Sequence, residues 1–87
     1  VADRFAAEGF VALAPDLYHG ERTTSPDAAG KLLMALDIAR AGVDLRGAAA
    51  YLRAHDAVHP QRVGVVGFCM GGQLALFAAC AHPDVID

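Results

Sequence analysis

The sequence has no run of basic residues. Its seven lysines and arginines are scattered among ten acidic residues, and the formal net charge is −3. A surface that tracks phosphates needs clustered positive charge, so nucleic acid is excluded as a partner. Cysteine is scarce as well: Cys69 and Cys80 stand eleven positions apart with no second pair. That is neither zinc-ligand spacing nor a disulfide framework, and it fits a reducing, cytoplasmic setting. No metal or cofactor pattern accompanies them. Charged residues are 20% of the chain and hydrophobic residues 55%, which excludes a disordered, solvating sequence. Internal repeats, low-complexity tracts and interdomain linkers are all lacking.

The 87 residues have room for one small domain. A domain of that size buries a modest fraction of its surface, so the high apolar content suggests part of a larger core. The chain opens on Val1 rather than methionine and stops at Asp87 without a closing element. The expectation is an incomplete domain over 1–87, cut at both ends. Nothing in the pattern specifies an oligomeric state.

One stretch imitates a membrane span. Val63 to Ala81 reads VGVVGFCMGGQLALFAACA, interrupted only by Gln73. Glycines between Gly67 and Gly72 would break a helix in mid-bilayer, and no basic cluster flanks the segment. A buried strand, a glycine turn and a buried helix in succession fit better, so no membrane partner is expected.

Val1 to Glu8 reads as the end of a helix, with Gly9 as a left-handed cap. Phe10 to Ala14 (FVALA), stopped by Pro15, has the wholly apolar character of a strand buried on both faces of a parallel sheet. Asp16 to Asp27 is a loop, in which Asp16 fits an anchoring role. Ser25 or Asp27 can cap a helix starting near Ala28, with Pro26 at its entry. Leu32, Leu33, Leu36 and Ala39 recur at helical spacing, and Gly42 marks a break. A further helix, Val43 to Ala54, carries Val43, Ala50, Leu45, Ala49 and Leu52 on its apolar side. Arg62 to Gly67 is the second expected strand, and Gly71 to His82 a helix ended by Pro83. The expected fold class is therefore α/β: two parallel strands joined by a right-handed helical crossover.

The second strand runs into Gly67-Phe68-Cys69-Met70-Gly71-Gly72. A strand ending in Gly-x-nucleophile-x-Gly and passing directly into a helix is the pattern of a nucleophile elbow, here with cysteine at its centre. Gly67 and Gly71 would spare the strained turn from side-chain collisions, and Gly72 would let the helix approach the sheet. The sulfur would sit at a helix N-terminus, where the dipole favours a thiolate. The Met70 N–H would be the first donor to a developing oxyanion. Against this stands a plain packing reading, since cysteine is often a small buried hydrophobe. A dinucleotide-binding turn is disfavoured, because the glycine spacing is not G-x-G-x-x-G and no second strand followed by an acidic residue comes about 20 residues on.

"GFCMGG" over Gly67–Gly72 resembles the elbow of the dienelactone hydrolase (carboxymethylenebutenolidase-like) family within the α/β-hydrolase fold, where cysteine replaces the usual serine. "ADRFAAEGFVALAPDLYHG" (Ala2–Gly20) and "AGVDLRGAAAYLRAH" (Ala41–His55) are similar to further parts of that family, so the likeness covers nearly the whole chain. The resemblance implies the central strand–helix–strand–helix portion of a three-layer sandwich. It also implies hydrolysis of a small-molecule ester or lactone through a cysteine–histidine–aspartate triad. Only Cys69 carries over; the family's acid and histidine follow later than Asp87, and its second oxyanion donor precedes Val1.

Tyr18, His19 and Arg22 follow the first expected strand and are candidate pocket-lining residues. His82 lies on a helix leaving Cys69, His55 and His59 enter the second strand from its far end, and Cys80 reads as core. The family's basic residue ahead of the second helix is replaced by Thr23–Asp27, with Arg22 the nearest base, which favours a broader carboxylic ester over dienelactone itself. Two other classes remain as alternatives: a non-catalytic binding member of the fold, and a thiol-based sensor that would need Cys80 as resolving partner.

Overall fold

The computed structural model describes all residues, Val1–Asp87. Four helices follow one another: α1 (Ala2–Ala7), α2 (Pro26–Ala35), α3 (Ile38–Ala54) and α4 (Met70–Ala81). Gly9, with φ +94°, turns the chain out of α1, and the Phe5 and Phe10 rings meet edge to face at 5.8 Å across that turn. Ser25 caps α2 as its sequence suggests. Its hydroxyl accepts the Ala28 N–H at 3.3 Å, and Pro26 occupies the first helical position.

The break between α2 and α3 falls at Leu36–Asp37 rather than at Gly42. Asp37 supplies a side-chain acceptor for the Arg40 N–H at 3.2 Å, which glycine cannot do. Gly42 instead lies inside α3, buried, where a Cβ would come 3.3 Å from Phe77 Cε2. Its role is close helix approach, and α3 packs on α4 there.

The core sits between these two helices and the C-terminal segment. Ala49, Val63, Ala78, Val85 and Ile86 are buried together, with Leu45, Leu52 and Ala79 against them. Of the five residues expected on the apolar side of α3, Leu45, Ala49 and Leu52 face this core. Val43 is 71% exposed and Ala50 is exposed too. Successive helical residues point roughly 100° apart, so α4 covers only one of the two stripes.

α3 is also the hub of the long-range polar contacts. Arg46 donates to both carboxylate oxygens of Asp84, at 2.8 and 2.5 Å, and Arg53 donates to Asp87 at 2.7 Å. The His82 ring nitrogen Nε2 donates to the Gly42 carbonyl at 3.1 Å. Residues 82–87 are thereby strapped along one side of α3, and Asp87 exchanges bonds with the Val63 backbone N–H and C=O at 2.8 and 2.7 Å.

The expected pair of parallel strands does not form. Residues 10–15 and 62–68 carry no strand hydrogen bonding, so neither the crossover nor the strand layer of a sandwich is present. An apolar run marks a segment able to be buried, but a strand exists only where a second segment supplies its ladder partners. Here neither run finds one: Phe10 is 62% exposed and Phe68 is 68% exposed, and of the two runs only Val63 is buried. No helix is long and apolar enough to cross a membrane; the apolar stretch 63–81 is extended chain, a turn and α4.

Candidate active site

Cys69 stands at the N-terminal cap of α4 with φ +58° and ψ −121°. For a residue with a Cβ this backbone conformation is strained, by roughly 1–3 kcal/mol. Gly67 makes the turn sterically feasible, because a Cβ on it would lie 1.9 Å from the Gly71 carbonyl oxygen. The expectation for Gly71 is corrected: a Cβ there would meet nothing within 4 Å, and it is the Gly71 backbone that crowds Gly67. Gly72 is a milder case, its Cβ reaching ordinary contact with the Gly67 oxygen at 3.4 Å.

The turn closes with the Gly71 N–H donating to Phe68 O at 2.9 Å and the Gly72 N–H to Cys69 O at 3.0 Å. The Met70 N–H donates to no backbone carbonyl and belongs to the unpaired donors that open every helix. Cys69 is exposed. An accessible thiol, a free amide on the next residue and the positive end of α4 are thus gathered in one turn. Chemically this arrangement can accept an electrophilic carbon at sulfur and a negative oxygen at the amide.

No histidine is hydrogen-bonded to the thiol. His19 Nε2 is bonded to Asp44 Oδ2 at 2.6 Å, His55 Nδ1 accepts the Ala57 N–H at 3.0 Å, and His82 is held by Gly42. Cys80 is exposed rather than core, because Ala78, two residues and about 200° earlier on the helix, takes the face turned to α3. Cys69 and Cys80 lie at opposite ends of α4, roughly 16 Å apart at about 1.5 Å per residue, which is far beyond disulfide reach.

The three candidate pocket residues separate. Tyr18 and Arg22 line an open hollow of about 470 Å³ between the loop and α2, together with Glu21, Thr23, Leu32 and Leu33. His19 is turned away from it toward α3. Asp16 anchors this loop, its two carboxylate oxygens accepting the Tyr18 and Gly20 N–H groups at 3.0 and 2.7 Å. Sequence reasoning missed Asp44, Arg46 and Arg53. The last two are seven residues apart, on one side of a helix, which is the signal that could have paired them with Asp84 and Asp87.

The family model described as the dienelactone hydrolase family matches residues 1–87. "Protein usf" of Aquifex pyrophilus is 40% identical over 90 residues, covering 100% of this chain and 39% of that protein. A putative carboxymethylenebutenolidase of Aquifex aeolicus is 38% identical over the same shares of both chains, 100% and 39%. A probable 2-oxo-3-(5-oxofuran-2-ylidene)propanoate lactonase of Bradyrhizobium is 40% identical over 82 residues, 91% of this chain and 33% of that one. The chain thus spans well under half the length of these relatives, and no solved structure matches it. The match along all 87 residues, including the glycine-flanked turn at Cys69, settles the kinship: this chain belongs to the dienelactone hydrolase family.

Proposed function

We propose that the chain is the nucleophile-bearing central portion of a hydrolase acting on carboxylic esters or lactones, with Cys69 as nucleophile. The observation that carries this reading is the strained, exposed conformation of Cys69 at the start of α4, kept possible by Gly67. Strain of this kind is retained where it aims a reactive group. The relatives named as a carboxymethylenebutenolidase and a lactonase support an ester or lactone substrate.

In this reading the turn at Gly67–Gly72 is a nucleophile elbow. Cys69 Sγ attacks the ester carbonyl, the S–C bond forms, and the carbonyl oxygen takes its negative charge against the Met70 N–H. The thiol proton passes to a histidine base as sulfur attacks; the C–O bond to the alcohol then breaks, and the alcohol leaves with that proton from the resulting imidazolium. Water attacks the thioester with that base removing its proton, releasing the carboxylic acid and returning the thiol. The steps need a small-molecule substrate and water, and no cofactor. Because none of the chain's four histidines bonds the thiol, the base and its acid partner come from the part of the family's length not covered by these residues. Tyr18 and Arg22 contribute to holding the substrate.

The 87-residue chain alone is therefore expected to be acylated without turnover. An activated ester such as p-nitrophenyl acetate should release less than one equivalent of p-nitrophenol per chain. A protein of the relatives' full length should turn over, and Cys69→Ala should reduce that rate by at least ~10³-fold. Sustained hydrolysis by Cys69→Ala at the wild-type rate would sink the assignment.

A further inference from the structure

Two non-glycine residues in the chain have positive φ: Cys69 at +58° and His19 at +52°. The chemistry proposed above uses the first and leaves the second without a role. Its surroundings hold it in place from two sides. Asp16 accepts the N–H groups of Tyr18 and Gly20, and the Asp16 carbonyl accepts the His19 N–H at 3.3 Å. From α3, across 25 positions in sequence, Asp44 Oδ2 meets His19 Nε2 at 2.6 Å. An ionised carboxylate can only accept, so Nε2 carries the proton. The Asp44 side chain is 24% exposed and that of His19 41%, so the contact lies at the surface.

In the same loop, Tyr18 and Arg22 border the open hollow against Leu32 and Leu33 of α2, whereas His19 is not among its lining residues. The loop therefore has one residue tied to α3 and its neighbours presented to a cavity. A bond to a helix fixes the loop's backbone, and fixing the backbone fixes where the flanking side chains stand.

We propose that His19 and Asp44 are a positioning pair that holds Tyr18 and Arg22 at the rim of the hollow, and so sets how tightly the acyl or alcohol portion of the ester binds. This rests on the hydrolase reading. Neither member of the pair touches substrate; both act through the loop. Removing either one loosens the loop equally, and removing both does no further harm, because a single bond is shared.

The test combines amide exchange with ester kinetics on p-nitrophenyl butyrate, using a hydrolytically active protein that includes these residues. His19→Gly relieves the backbone strain yet deletes the bond, whereas Asp44→Asn keeps an acceptor. His19→Gly, Asp44→Ala and the double variant should all speed exchange across Tyr18–Thr23 by roughly tenfold. They should raise KM about 5- to 10-fold with kcat within about twofold, and Asp44→Asn should restore most of the loss. Unchanged exchange, or faster exchange with unchanged KM, would overturn the proposal, as would a fall in kcat at constant KM. Should wild type and Cys69→Ala hydrolyse the ester equally, the hydrolase reading fails and takes the binding half of the proposal with it. The exchange data then still decide whether the tie holds the loop.

Discussion

The Gly67 Cα faces the Gly71 carbonyl so closely that a Cβ on Gly67 would sit 1.9 Å from that oxygen. The turn that carries Cys69 can be built in no other way, because the crowding partner is backbone and cannot rotate aside. Gly67→Ala should therefore destabilise the protein by about 3 kcal/mol, or prevent the turn from forming. Gly71→Ala meets open space in the first turn of α4 and should be neutral or stabilising by up to about 1 kcal/mol. Chemical denaturation of the two variants separates these outcomes. Equal losses would show that both glycines are needed for the same reason.

Cys69 itself holds a conformation suited to glycine. Cys69→Gly should raise stability by about 1 kcal/mol while removing reactivity toward thiol reagents at that position. Alkylation followed by peptide mapping reads the second half, with Cys80, also exposed, as the internal reference. A Cys69→Gly protein less stable than wild type would mean the φ of +58° stores no strain.

Acid sensitivity is expected from the straps on α3. Hydrogen bonds from Arg46 hold the Asp84 carboxyl at about 2, below its ordinary 3.8. The Val63 N–H, and after it Arg53, lowers Asp87 in the same direction. A lowered folded value means the unfolded chain binds protons first. The stabilisation is thus whole above pH 3.8 and is lost as the pH falls toward about 2. Arg46→Met should flatten the fall of the thermal midpoint through that window and leave little change near neutrality. The pair is exposed, so added salt should flatten it too. A wild-type slope unaffected by Arg46→Met would assign the acid response elsewhere.

The faces of α4 differ in energy. Leu74 is 5% exposed while Leu76, on the opposite side, is 68% exposed. Leu74→Ala should cost about 2–4 kcal/mol and Leu76→Ala less than about 0.5 kcal/mol. Comparable losses from the two substitutions, read by urea unfolding, would show that α4 is covered on both sides in solution.

Much of the local structure was legible in the residues. Gly9 as a left-handed exit, Ser25 and Pro26 at a helix start, Asp16 as a loop anchor and Pro83 beyond the last helix each depend on a few neighbouring atoms. The resemblance to the dienelactone hydrolase family was legible for the same reason, since "GFCMGG" is a contiguous, sterically constrained turn. Sequence determined these features because capping, turn geometry and glycine tolerance are local properties of the chain.

The tertiary structure decided what depends on partners distant in sequence. It left 10–15 and 62–68 without ladder partners, so the expected parallel strands are absent. It chose Leu45, Ala49 and Leu52 over Val43 and Ala50 as the buried stripe of α3, because α4 covers one face only. It turned Cys80 outward, bonded His19 to Asp44 instead of pointing it at the hollow, and joined Arg46 to Asp84 across 38 positions. Periodicity shows that a side chain can be buried or paired; only the three-dimensional arrangement of the helices supplies the surface or charge that it meets.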